Sequence, residues 1–193
     1  MRRAWLWLAL VLVTFPALPA EYTVEADHPR LLLPQRRLRL LRREHERESL
    51  RWNQFQSLLR SNAQFPEPGF AYALSYIVNG DPATGRKAVS WALSPQATDA
   101  RQVALVFDWC QPLLSRAELD SMAGKLRQIA SAPQTTVAGQ RDRAFAAIAL
   151  AGTAGYDPSP VLEDIVDKWW EEMAGKLASG AAVLPITDHF PLY

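Results

Sequence analysis

The sequence predicts an all-α fold in which helical hairpins form part of an (α/α) toroid, as an incomplete barrel. Three stretches of the chain favour this fold, because each runs from an alanine-rich apolar segment through a short turn into an amphipathic segment. They span residues 70–93, 103–129 and 144–177. One helical pair cannot bury its apolar face alone, so pairs that recur at this spacing are expected to stack.

The spacing of the turns helps to choose between an open solenoid and a toroid. The equivalent turn residues Asp81, Ser115 and Asp157 lie 34 and 42 positions apart. This spacing is too irregular for a repeat family of fixed period, such as the tetratricopeptide repeats. Inner helices that alternate with outer helices at irregular intervals therefore favour the toroid.

Length, composition and charge indicate one ordinary globular domain. The chain has 193 residues, of which 49% are hydrophobic and 21% charged, so it can bury a substantial core. Its formal net charge of +1 produces no field over the whole molecule that would attract a polyanion. We therefore expect no nucleic-acid partner.

The first twenty residues have the pattern of a secretory signal peptide. Arg2 and Arg3 precede an apolar run at residues 4–13, and residues 16–20 supply a breaker and a small residue for cleavage near Ala20. A membrane anchor is the alternative, but a spanning helix needs ~20 apolar residues and this run is shorter. We expect a periplasmic or secreted protein with no stable membrane insertion. Cys110, the only cysteine, cannot form an internal disulfide.

The mature chain is predicted to begin with an extended lead, residues 21–33, and then a long helix that starts at Pro34. Proline suits the first helical position, where its missing N–H has no partner to lose. The apolar stripe of this helix is formed by Leu38, Leu41, Trp52, Phe55 and Leu59. Arginines and glutamates alternate on its other faces, which favours a solvated, ion-paired surface over a site for acidic polymers.

The two arms of each hairpin differ in their pattern. Residues 103–107 and 144–154 are apolar all round, which is typical of inner helices with neighbours on every side. The arms that follow carry one apolar stripe each and are expected on the outside. Ser115 and Glu118 form a capping-box signature at the start of one outer arm, and Asp81 and Asp157 precede prolines at the other two.

Three segments, in this order, resemble the N-terminal toroid part of heparinase II/III-like and alginate-lyase-like polysaccharide lyases. The first is HPRLLL at residues 28–33, followed by a proline-initiated, arginine-rich helix. The second is ALSYIVNGD at residues 73–81, with Ala88 and Trp91 after it. The third is VFDWC at residues 106–110, which leads into an outer helix. The stretch from the first segment to the end of the outer helix after the third spans more than half of the chain that follows the predicted signal.

The resemblance implies cleavage of a uronate-containing polysaccharide by β-elimination. Such a lyase neutralises the uronate carboxylate, removes the proton on the adjacent ring carbon and protonates the leaving glycosidic oxygen. The family carries out these proton transfers with tyrosine and histidine, without a metal, so we expect an acidic polysaccharide or oligosaccharide as partner and no cofactor. The family also adds further hairpins and a C-terminal domain. Residues 34–193 are thus expected to be a partial toroid, truncated at its C-terminus and inactive alone.

The candidate catalytic residues lie at the end of the chain. His189 and Tyr193 are of the types that the resemblance requires for proton transfer, and Asp188 could orient the histidine. The substrate-binding candidates are drawn from the inner helices: Tyr72, Tyr76, Asp108, Trp109 and Arg141.

Each substrate-binding candidate has a structural alternative. Tyr72 and Tyr76 share a helix face and could line a cleft, but such tyrosines also serve packing. Asp108 and Trp109 could bind sugar, or could brace and pack between neighbouring elements. Arg141 is predicted near a helix start, where a cation is electrostatically unfavourable, and Asp142 could simply offset its charge.

Two other classes of function remain open. A secreted helical-repeat module could bind a glycan or a protein on its concave face without catalysis. A glycoside hydrolase on the same toroid would need two carboxylates across the cleft, for which Asp108 and Asp142 are candidates.

Overall fold

The chain is all-α in this computed structural model, which describes residues 22–179, and no strand occurs in that range. The helices are α1 Gln35–Glu46, α2 Leu50–Arg60, α3 Pro68–Asn79, α4 Pro82–Leu93, α5 Ala100–Trp109, α6 Arg116–Ser131, α7 Val137–Leu150, α8 Ser159–Glu163 and α9 Glu171–Ala178. A π-helical segment, Asp164–Trp170, joins α8 to α9. None of the helices between residues 22 and 179 has the length and apolar character of a bilayer span.

The helices form the hairpins that the sequence predicts. Asp81 caps α4 by accepting hydrogen bonds from the backbone N–H groups of Ala83 and Thr84. Ser115 and Glu118 form the predicted capping box at the start of α6. These local signals fix where the outer arms of the first two pairs begin.

The inner and outer arms occupy different layers. The helices α1, α3, α5 and α7 contact one another in chain order, while α4 and α6 contact each other and the inner helices. Every residue of the range 102–110 is buried, and Phe107 has no exposed surface. The prediction of a sheltered inner helix is thus confirmed most clearly for α5.

The N-terminal lead, which comprises residues 22–34 in the structure, shields one side of α5 from solvent. Leu31 and Leu33 are buried in the main core together with α5. The indole N–H of Trp109 donates a 3.0 Å hydrogen bond to the carbonyl oxygen of Leu31. The lead therefore covers a side of α5 that the neighbouring helices leave open.

The predicted long helix from Pro34 is wrong, because the chain breaks between α1 and α2. Pro34 occupies the N-cap position of α1 without a side-chain cap. Glu48 then takes a left-handed φ of 49°, and the Ser49 hydroxyl caps α2 by accepting from the backbone N–H of Trp52. The apolar stripe survives the break, since Leu38 and Trp52 meet in one cluster with Val78 of α3.

The third inner helix begins earlier than the sequence predicts. Thr136 caps α7 through its side chain, so Arg141 lies in the second turn and not at a helix start. The buried Arg143 then ties three helical segments together: its Nη1 lies 2.9 Å from Asp164 Oδ2, and its Nε donates to the carbonyl oxygen of Ala130.

Candidate functional site

Asp108 and Trp109 lie in the interior of the protein. Asp108 has no exposed surface, and its Oδ2 accepts hydrogen bonds from the backbone N–H groups of Arg30, at 2.8 Å, and Leu31, at 2.9 Å. Its Oδ1 lies 2.5 Å from Nδ1 of His28. In this arrangement the Asp108 carboxylate braces the lead and the Trp109 indole packs beneath it. This is the bracing and packing role considered for both residues as the alternative to sugar binding.

Tyr72 and Tyr76 both face α4, but only Tyr72 lines an open groove. Tyr76 packs closely against Gly85, where an added Cβ would lie 2.8 Å from the Tyr76 ring. Burial raises the pKa of the Tyr76 hydroxyl, and the nearby Cys110 adds to this effect. The structure thus separates the two tyrosines into one packing residue and one groove residue.

Of the remaining candidates, only Arg141 lies within the described residues. Arg141 is half-buried, and its Nη2 lies 2.8 Å from Asp142 Oδ1, in agreement with the offsetting role considered for Asp142. The predicted catalytic residues His189 and Tyr193, together with Asp188, lie outside the described residues, as does the predicted signal at residues 1–20. Within the range 22–179, no group of three or more His, Cys, Asp or Glu side chains is placed to hold a metal ion.

The groove that contains Tyr72 has a volume of about 750 Å³, and we call it the aromatic groove. It lies between α2 and the α3–α4 hairpin. The α1–α2 side contributes His45, Glu46, Glu48, Trp52, Asn53, Gln56, Leu59, Arg60 and Asn62, and the hairpin contributes Tyr72, Asp81, Ala83, Thr84 and Lys87. Gln56 also joins the two walls, because its amide donates a 3.0 Å hydrogen bond to the Ser75 hydroxyl.

Trp52 carries an unmet hydrogen-bond donor in this groove. Only 6% of the residue is exposed, and its ring packs at tilted angles against those of His45, at 5.4 Å, and Phe55, at 5.5 Å. Its buried indole N–H has no hydrogen-bond partner among the described residues. A buried donor left unpaired costs about 1–3 kcal/mol, so an acceptor that reached it through a small shift of the groove wall would be stabilised.

Tyr72 and Lys87 form the opposite wall. The Lys87 ammonium lies 5.8 Å from the centroid of the Tyr72 ring, within the range of a cation–π contact. The carboxylate of Asp81 is already used, since it caps α4, and its hydrogen bond from the Thr84 hydroxyl holds its pKa below the usual range. This wall therefore offers an aromatic face and a cation.

The groove as a whole combines several kinds of contact surface. Aromatic faces, side-chain amides and charges of both signs line it together, so its walls offer stacking surfaces as well as hydrogen-bond donors and acceptors. Of its residues, sequence reasoning identified only Tyr72. The sequence analysis placed Trp52 on the apolar stripe of a helix. Its unpaired N–H, which distinguishes it from a packing residue, cannot be recognised from the sequence pattern.

Comparison of the chain with protein families, with curated proteins and with solved structures finds no match.

Proposed function

We propose that this chain is the N-terminal helical part of a secreted lyase that cleaves uronate-containing polysaccharide by β-elimination, and that the aromatic groove binds the polymer. Two kinds of observation support the proposal: the resemblance at residues 28–33, 73–81 and 106–110, and the chemistry of the groove. The unmet N–H of Trp52 is the single observation on which the binding role depends most.

The Trp52 indole is a donor only, so its partner must be an acceptor. Sugar hydroxyl and ring oxygens are acceptors, and the apolar face of a sugar ring stacks on aromatic side chains such as Tyr72. Asn53 and Gln56 add amide groups that both donate and accept, which suits the alternating hydroxyls of a polysaccharide.

In this proposal the described helices bind and the C-terminal part of the protein reacts. The inner helices α1, α3, α5 and α7 lie side by side, which supports assigning them to an (α/α) toroid. His189 and Tyr193 exchange the protons during β-elimination, while a cationic or amide group neutralises the uronate carboxylate so that the adjacent carbon becomes acidic enough.

The variant Trp52→Phe tests the binding role, because it keeps an aromatic ring and removes only the N–H. We expect about a fivefold loss of affinity for an alginate hexasaccharide, as for one hydrogen bond, measured by titration calorimetry. Trp170→Phe is the matched control, since Trp170 is 54% exposed and lies outside the groove. Equal affinities of Trp52→Phe and the parent chain would remove the support for this site.

The lyase activity is tested separately on the full-length gene product. We expect incubation with alginate, heparin-like or pectic polymers to produce the ultraviolet absorbance of an unsaturated uronate. A glycoside hydrolase would release reducing ends without that absorbance, and a pure binding module would release neither. The binding module is the second candidate, because the aromatic groove offers a binding surface without requiring an acid or a base.

A further inference from the structure

A second cleft, of about 540 Å³, lies between the lead, α6 and the turn that follows α7. Its lining includes Arg30, Arg116 and Arg127, and we call it the arginine cleft. Asp120 is the only carboxylate among its described lining residues. The cleft therefore carries an excess of positive charge, although the chain as a whole is almost neutral.

Arg127 has no partner that accounts for its position. It is half-buried on α6, and it forms no hydrogen bond or ion pair with any residue in the range 22–179. A guanidinium carries five N–H donors in a planar fork, and none of those of Arg127 is both buried and unpaired, so they are open to an acceptor that enters the cleft. A carboxylate or sulfate group would supply two acceptors in matching geometry.

Arg30 adds a second positive charge, and its guanidinium forms no ion pair with a carboxylate in the described range. Its Nη1 and Nη2 donate to the carbonyl oxygens of Ala151, at 2.6 Å, and Ala26, at 2.7 Å, while its buried Nε has no partner. Because these carbonyl oxygens fix the side chain, its charge is held in place at the cleft before any ligand arrives. Such fixed charge favours binding, since little side-chain freedom is lost.

Arg116 differs from the other two because it is free to move. It pairs with Asp120 at 3.2 Å across one helical turn, but 84% of the arginine side chain and 59% of the aspartate side chain are exposed. Exposed pairs of this kind contribute little free energy, so Arg116 can turn towards a ligand at small cost.

We propose that the arginine cleft is a subsite for one anionic group, a carboxylate or a sulfate, on a sugar of the bound polysaccharide. The inference rests on the proposed function for the identity of the polymer. It goes beyond that function by assigning the recognition of charge to Arg30 and Arg127, away from the aromatic groove, where sugar faces stack. In this proposal the arginine cleft binds the charge of the polymer and the aromatic groove binds the faces of its sugar rings.

The test compares three probes on the full chain: an alginate hexasaccharide, which carries carboxylates, a sulfated cello-hexaose and unmodified cello-hexaose. We expect both anionic probes to bind more tightly than the neutral one. Arg127→Gln is expected to weaken an anionic probe about tenfold, the scale of a charged hydrogen bond, and to leave the neutral probe unchanged. An effect on the carboxylate probe alone, or on the sulfate probe alone, identifies the group that the cleft accepts.

Two further variants make the outcome decisive. Arg127→Lys keeps the charge but loses the fork, so we expect an intermediate loss of affinity together with an unchanged thermal midpoint. Arg36→Gln, at an exposed position of α1 that lines neither site, should bind all three probes as the parent chain does. The subsite is overturned if Arg127→Gln keeps full affinity for both anionic probes. The proposed function still stands in that case if Trp52→Phe weakens binding, and both proposals fail if neither variant does.

Discussion

Asp108 Oδ1 lies 2.5 Å from Nδ1 of His28, although 80 positions separate the two residues along the chain. The other oxygen of the same carboxylate accepts the backbone N–H groups of Arg30 and Leu31. One buried side chain of α5 thus fixes three polar groups of the lead, on residues 28, 30 and 31.

Replacing Asp108 with alanine should therefore destabilise the protein and release the lead. Two backbone N–H groups and one imidazole would lose their acceptor inside the protein, which we expect to cost about 3 kcal/mol of unfolding free energy in urea denaturation. Limited proteolysis should then cut within residues 22–34. The exposed Asp120 is the control, since Asp120→Ala should change the free energy of unfolding by less than about 0.5 kcal/mol. An unchanged urea midpoint for Asp108→Ala would contradict this role.

Gly85 lies where α3, α4 and the turn after α5 approach most closely. A Cβ at this position would lie 2.3 Å from Leu113 Cδ1 and 2.8 Å from the Tyr76 ring. Gly85→Ala should cost about 1–3 kcal/mol through overpacking, measured by thermal unfolding. Gly124→Ala is the matched control, because nothing lies within 4 Å of its added Cβ, and it should stabilise α6 by about 0.5–1 kcal/mol. Equal midpoints for the two variants would refute the close approach.

Glu118 makes the stability of α6 dependent on pH. The Arg86 guanidinium, whose Nη2 lies 2.6 Å from Glu118 Oε1, and then the Ser115 N–H lower the pKa of this carboxyl from 4.5 to about 2. Because the pKa is lower in the folded state, the stabilisation is complete above pH 4.5 and is lost as the pH falls towards 2.

Glu118→Gln should accordingly lower the unfolding free energy at pH 7 by about 1 kcal/mol, because it removes the charge that Arg86 binds at both oxygens while it keeps an oxygen that can accept the Ser115 N–H. The difference from the parent chain should shrink below pH 4.5 and vanish near pH 2, as followed by urea denaturation across this range. Glu172→Gln, which breaks only an exposed pair with Lys176, should have less than about 0.5 kcal/mol of effect at any pH. A Glu118→Gln penalty that persisted unchanged at pH 2 would exclude the ionised carboxylate as its source.

Cys110 should be unreactive in the folded protein. It has no exposed surface, and burial raises the pKa of its thiol to about 12, so almost no thiolate exists at pH 8. We expect no mass increase when the folded chain is treated with iodoacetamide, and full modification in urea. Modification of the folded protein at the rate of a free thiol would show that α5 is open to solvent.

The parts of the fold that the sequence predicts correctly depend on local chemistry. The turn at residues 80–82 combines a left-handed glycine, a capping aspartate and a proline that starts α4. Ser115 and Glu118 mark the start of α6 in the same way. Each signal acts within four residues, which is why pattern reading is sufficient there.

The parts that it misses depend on contacts between distant residues. The arginines and glutamates around residues 42–48 are strong helix formers, so local propensity favours a continuous helix, and only Ser49 hints at the new cap. The bracing role of Asp108 was one of two open interpretations, because its partners lie 77–80 positions away. The unmet N–H of Trp52 follows from how α2 packs, which periodicity does not reveal.

The bracing of the lead has a consequence for the order of assembly. The α3–α4 hairpin pairs neighbouring stretches of chain, whereas the lead must wait for a carboxylate that is synthesised almost eighty residues later. Closing so long a loop is entropically slow compared with closing a hairpin. The lead is thus synthesised first among the described residues but docks among the last. In a nascent chain that ends before α5, the lead lacks the carboxylate to which it binds.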